Sequence, residues 1–192
     1  MILKMNEVEK TRTISEIVAK WWTGVIISPR FDTGDDSKVG FFIQFLQESL
    51  VTKLNSHQLK QFSNEVYNYV YTTLQKCSEY EKFYLDVDYN PCKVLSQIAE
   101  KCDISLNNFP SKTTMCITKH SINVKYGYGS RYETLYADKQ YYDKEIEHYQ
   151  ETLNEYTNRK DKDFVVGTKQ ELIEEILEKI KQLECNRLNA DD

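Results

Sequence analysis

Between Thr113 and Ala137 apolar and polar residues alternate, and the chain has two places where it can reverse. A period of two belongs to strands, whose successive side chains point to opposite faces. If Lys119-His120 form a two-residue turn, Ile117 stands opposite Ile122 and Met115 opposite Val124, and all four share one face. A second turn at Gly129-Ser130, glycine first as type II′ prefers, sets Val124 opposite Leu135. Two independent registers select one buried face and predict a three-stranded meander over 113–137. Residues 82–89 alternate likewise, with Phe83, Leu85, Val87 and Tyr89 on one side and Lys82, Tyr84, Asp86 and Asp88 on the other. They add a further strand.

Elsewhere the period is helical. Thr13-Ile-Ser-Glu16 opens an amphipathic helix with Ile14, Val18 and Trp21 on one stripe, and Gly24 ends it. After a loop over 28–37, with Asp35, Asp36 or Ser37 as cap, a second helix carries Val39, Phe42, Ile43, Leu46, Leu50 and Leu54 inward. Asn55-Ser56 opens a third with Leu59, Phe62, Val66, Val70 and Leu74. Asn90-Pro91 supplies an N-cap and first-turn proline for a short helix burying Val94, Leu95, Ile98 and Cys102. Beyond 140, Tyr142, Ile146, Tyr149, Leu153 and Tyr156 step by four and three, the spacing of a coiled-coil seam. A charged turn at 159–163 follows. Thr168-Lys-Gln-Glu171 is a capping box ahead of Ile173, Ile176, Ile180 and Leu183. The fold class is therefore α+β: a small antiparallel sheet (the meander 113–137 plus strand 82–89) packed on N-terminal helices, with a C-terminal helical hairpin. The domains are an α+β core over 1–138 and an acidic hairpin appendage over 139–192.

Composition narrows the function classes. Residues 140–192 hold 14 acidic and 8 basic side chains, a balance of −6, against 16 and 17 in the rest. Acidity confined to the hairpin makes direct nucleic-acid binding an unfavoured reading and suits either a solvated helix face or a surface for a basic partner. No run approaches the roughly 18 apolar residues of a membrane span, and the first residues lack a leader's apolar stretch. Five widely spaced cysteines form no C-x-x-C, which fits buried thiols in a reducing compartment and a cytoplasmic protein. Fourteen tyrosines suit half-wet sheet faces and interfaces.

Four constellations bear chemistry. Asp32, Asp35 and Asp36 in a glycine-containing loop, with Asp86 and Asp88 on one strand face, offer the oxygen ligands that Mg²⁺ or Ca²⁺ prefers, although helix capping and a wet sheet face are the favoured explanation. Tyr126-Gly127-Tyr128-Gly129-Ser130-Arg131 offers glycine amides and a guanidinium to an anion, and tyrosines to a base, although a tight turn accounts for both glycines. Trp21, Trp22 and Phe31 flank the acidic loop as aromatic anchors, and Tyr142, Tyr149 and Tyr156 line a seam able to join two copies. Catalytic residues are not assigned: Cys116 and His120 share a hairpin without evident adjacency, and His57 and His148 are expected on exposed helix positions.

Trp21-Trp22, Asp32-Thr-Gly-Asp-Asp-Ser37, Leu85-Asp-Val-Asp-Tyr-Asn-Pro91 and Asn108-Phe-Pro-Ser-Lys-Thr113 leading to Tyr126-Gly-Tyr-Gly129 together resemble an uncharacterised family of small proteins from phages and mobile elements of Gram-positive bacteria. The resemblance spans about residues 14–137 and implies a phage or prophage accessory protein acting in the host cytoplasm, with no catalytic residues to carry over. The leading expectation is a non-enzymatic protein that binds and inhibits a host factor, such as a CRISPR-type defence component, with no cofactor. The alternatives are a nucleotide-class ligand binder using 126–131 and a metal-dependent phosphoesterase using the five aspartates.

Overall fold

A computed structural model describes residues 6–31, 38–127, 129–158 and 169–190. The chain divides into two units, Met1–Tyr136 and Ala137–Asp192. The first contains helices α1 (Glu7–Ile27), α2 (Lys38–Ser49), α3 (Ser56–Lys76) and α4 (Lys93–Lys101) and strands β1 (Phe83–Val87), β2 (Thr113–Ile117), β3 (Ser121–Tyr126) and β4 (Glu133–Ala137). The strands form one antiparallel sheet in the order β1-β2-β3-β4. The second contains α5 (Lys139–Asn158) and α6 (Lys169–Asn189). The α+β class and the helical hairpin expected from the sequence are both present.

The β2–β3 register is the expected one, Ile117 opposite Ile122 and Met115 opposite Val124. Thr118 fixes the turn: its Oγ1 accepts from the His120 and Ser121 amides at 3.0 and 2.9 Å. Leu85 pairs with Met115 and Phe83 with Ile117, so a single sheet face holds Phe83, Leu85, Met115, Ile117, Ile122 and Val124. That face packs with Ile14, Val18, Trp22 and Ile26 of α1 and Phe62, Val66, Val70 and Leu74 of α3 in one core. The stripe expected for α3 is buried as read, with Leu59 packed against it.

Several local expectations are corrected. Helix α1 begins at Glu7, because Asn6 and Glu9 form a reciprocal capping box, and it runs through Gly24 to Ile27. An exposed mid-helix glycine costs only about 1 kcal/mol, too little to end a helix whose next turn buries Ile26. Trp22, not Trp21, is the fully buried tryptophan. Strand β1 stops at Val87, because the chain turns back there: Val87 bridges to Pro91, and the Cys92 amide donates to the Asp86 carbonyl at 2.8 Å. Asn90-Pro91 thus closes a turn, and Cys92 is the N-cap of α4. Helix α4 ends in a Schellman arrangement, with Asp103 at φ 52° and the Ile104 amide donating to the Ala99 carbonyl. The second reversal of the meander is longer than two residues. Gly127 carries the positive φ of 72°, and strand pairing resumes only at Glu133. The largest departure is α2: Phe42, Leu46 and Leu50, expected inward, are 59, 44 and 56% exposed, as is Phe45 at 59%.

In the hairpin unit the two seams face each other. Ile146, Ile180 and Leu183 form its core, with Tyr142, Tyr149, Leu153 and Ile176 packed around them, and Arg187 pairs with Asp143 at 2.9 Å. The charged turn at 159–163 and the cap at Thr168 lie outside the described residues.

Candidate functional site

Helix α1 presents Ile17, Lys20, Trp21, Gly24 and Val25 along one face, and the chain leaving it brings Ser28 and Arg30 round beside them. Tyr126 at the end of β3 and Leu135 of β4 stand opposite, lining an open groove of about 580 Å³. Tyr126 belongs to the inward sheet face, since it pairs with Thr113 two residues beyond the Met115–Val124 pair. Its ring lies 5.9 Å from that of Trp21, and the Arg30 guanidinium sits 5.4 Å from its centre. Trp21 in turn meets Trp22 edge to face at 5.0 Å. Burial, opposed by Arg30 and assisted by Glu133, raises the Tyr126 hydroxyl above its ordinary pKa. The groove therefore joins aromatic surface to two exposed cationic residues, Lys20 and Arg30.

Of the residues expected to bind a ligand, Tyr126 alone lines this groove. Gly127 serves the backbone, donating to the Lys112 carbonyl at 2.8 Å. Gly129 and Arg131 are exposed, and Tyr128 lies outside the described residues. Arg30, not Arg131, supplies the guanidinium. No periodic signal marks Arg30, whereas Lys20, Gly24 and Ser28 recur at four-residue spacing along the face that lines the groove.

Of the segments that carried the resemblance, 32–37 lies outside the described residues, and the described parts of the others interlock as scaffold. Trp22 packs on Phe109, the Ser111 amide donates to the Arg30 carbonyl, and the Lys112 amide donates to the Asp88 carbonyl. Asn108 is wholly buried: its Nδ2 donates to the Ile26 and Thr52 carbonyls at 3.2 and 2.8 Å. Its Oδ1 accepts from the Thr52 amide and hydroxyl at 3.1 and 2.7 Å.

Of the aspartates, Asp86 is half-buried in β1 and Asp88 lies past its end, so the shared strand face does not extend to both. Asp32, Asp35 and Asp36 lie outside the described residues, among which no three His, Cys, Asp or Glu side chains gather as a metal site. Phe31 is half-buried. Tyr142 and Tyr149 face the hairpin's own interior, and Tyr156 is half-buried.

His57 and His148 are exposed. His120 is buried, which sequence reading missed. Its Nδ1 lies 2.7 Å from the Lys10 ammonium and its Nε2 2.7 Å from a Glu79 carboxylate oxygen, with Tyr80 5.5 Å away. An ammonium can only donate, so Nδ1 accepts and Nε2–H donates to Glu79. The three residues pin the start of α1, the end of α3 and the β2–β3 turn together.

Cys116, on the outward sheet face, stands opposite Tyr84. Burial comes first among the causes that raise the Cys116 and Cys102 thiols, and the Cys116 interaction comes first in raising Tyr84. Raised acids stay protonated in the folded chain while the unfolded chain ionises. They therefore stabilise the fold below the ordinary thiol range, and that contribution is lost as pH rises through it. Native protein at about pH 8 is expected to give a fast reaction with a disulfide reagent at exposed Cys185, and slow ones at Cys102 and Cys116 until denaturant is added. Melting temperature should fall between about pH 8 and pH 10. Equal rates at all cysteines would contradict the burial.

Among the described residues no helix is long and apolar enough to cross a membrane. Compared with known proteins, the chain matches no family model and no curated sequence.

Proposed function

We propose that this chain is a non-enzymatic accessory protein of phage or prophage origin that binds and inhibits a host factor in the cytoplasm. The observation that carries the reading is the exposed apolar face of α2. Phe42, Phe45 and Leu46 fall on one side of the helix, Leu50 follows just past its end, and each is exposed by 44% or more. Isolated exposed apolar residues are ordinary, but three large ones on one helix face with a fourth just beyond it mark an interaction surface. Two of them are aromatic, the residue class that anchors interfaces. The phage-type resemblance supports an intracellular host target, and a CRISPR-type nuclease is the first to test. A homodimer through the hairpin is the other partner reading. Because Tyr142 and Tyr149 turn inward, such a dimer would have to use Leu177 and Leu188, exposed by 41 and 68%.

The test is a nuclease-inhibition assay with purified chain and with the double variant Phe42→Asp/Phe45→Asp. Wild type should inhibit and form a stoichiometric complex. The variant should lose at least about tenfold in affinity while keeping its circular dichroism and melting temperature. Full inhibition by the variant would remove α2 from the contact. A wild type that neither inhibits nor associates with any defence nuclease tested would sink the reading of the target.

A further inference from the structure

We propose that the groove between α1 and the β3–β4 strands is a binding site for a mononucleotide, with the base against the Trp21–Tyr126 aromatic surface and the phosphate at Arg30 and Lys20. Three independent features converge there. The first is the ring pair, 5.9 Å apart and both half-buried, so that each keeps an accessible part. Aromatic side chains take up any base because every base has a flat π-face. The second is charge. Arg30 rests over Tyr126, and that contact holds a long side chain at the groove with its N–H groups available in a fixed fork. Lys20 stands on the same wall, and Glu133 is the acid whose charge reaches the Tyr126 hydroxyl.

The third feature is Gly24. It lies inside α1, where glycine is unfavourable, and a Cβ built there would meet nothing within 4 Å. Protein packing therefore does not require the glycine. Close approach of a ligand to the helix backbone does, and Gly24 forms part of the groove wall. An open groove of about 580 Å³ has room for a small ligand lying along it. By contrast, the larger concavity of about 740 Å³ between α3 and α4 has its Lys101 bonded to Glu65 at 3.0 Å and no paired aromatic wall beside a guanidinium. The α2 surface contributes no residue to this groove, so this inference and the host-factor reading stand or fall separately.

Half-exposed Trp21 beside buried Trp22 gives the site its own reporter. Titration of the full chain with AMP and with GMP should quench tryptophan fluorescence saturably and raise the melting temperature. Adenosine should bind more weakly and inorganic phosphate should give no quench. Arg30→Ala should weaken AMP by about tenfold, and Gly24→Leu, which fills the groove, should abolish the response while leaving the fold intact or more stable. Trp21→Ala is the less secure variant for folding, so Arg30→Ala and Gly24→Leu decide the matter. A flat response to both nucleotides at millimolar concentration would overturn the proposal. So would undiminished binding in Gly24→Leu, equal binding of phosphate alone, or binding of a single-stranded oligonucleotide where both mononucleotides fail.

Discussion

Asn108→Asp should cost about 3–5 kcal/mol, enough to leave the first unit largely unfolded at 37 °C. The wild-type amide is saturated, giving two hydrogen bonds to carbonyls of Ile26 and Thr52 and receiving two from the Thr52 amide and hydroxyl. A carboxylate matches the second pair and fails the first, setting a buried negative charge against two carbonyl oxygens. Asn108→Ala removes the charge problem but strands the Ile26 carbonyl, and should cost about 2–3 kcal/mol. The order of the two variants in urea denaturation is the check. The aspartate variant should also regain stability as pH falls from neutrality towards about 4, because a buried carboxyl protonates above the ordinary carboxylate range and can then donate to one carbonyl. If both variants melt with wild type, Asn108 does not clamp the end of α1 to the segment before α3.

Trp22→Ala should be nearly as damaging, at about 3–5 kcal/mol, through the cavity left between α1 and Phe109. Trp22→Phe makes the sharper test. The indole Nε1–H is buried with no acceptor among the described residues, and burying such a group costs about 1–3 kcal/mol. Phenylalanine discards that penalty while keeping most of the apolar contact. Its net cost is expected under about 2 kcal/mol, well short of the alanine variant. Trp21→Ala, one residue away but half-exposed, should be the mildest of the three by thermal melting. A Trp22→Phe variant as unstable as Trp22→Ala would mean that the indole nitrogen is satisfied in solution.

These two residues also show what the sequence could and could not convey. The β2–β3 register was legible because a two-residue turn and strict alternation leave one pairing that shelters Ile117, Ile122, Met115 and Val124 together. The α3 stripe was legible for the same reason at period 3.6. Periodicity identifies an apolar face but not what covers it, and so the face of α2 was assigned to the core although Phe42, Leu46 and Leu50 are exposed. Choosing between Trp21 and Trp22 turned on about a hundred degrees of helix rotation, which the buried run Ile14, Val18, Trp22 and Ile26 at four-residue spacing settles. The Lys10–His120–Glu79 trio and the Arg30–Tyr126 contact join residues 41 to 110 positions apart. No local pattern encodes such pairings. Asn108 stood out only inside a motif, and its motif residues proved to be joints of the scaffold.

The strands lie side by side in the order in which the chain emerges during translation. Each finds its neighbour already synthesised, and none must be inserted between two that have paired. The sheet can therefore grow vectorially at the ribosome, its last edge closing only when β4 appears. Loops closed between neighbours in sequence cost little entropy, and such topologies fold fast. The interval in which the greasy side of β1–β3 stands uncovered is correspondingly brief, because α1 and α3 precede every strand they shelter.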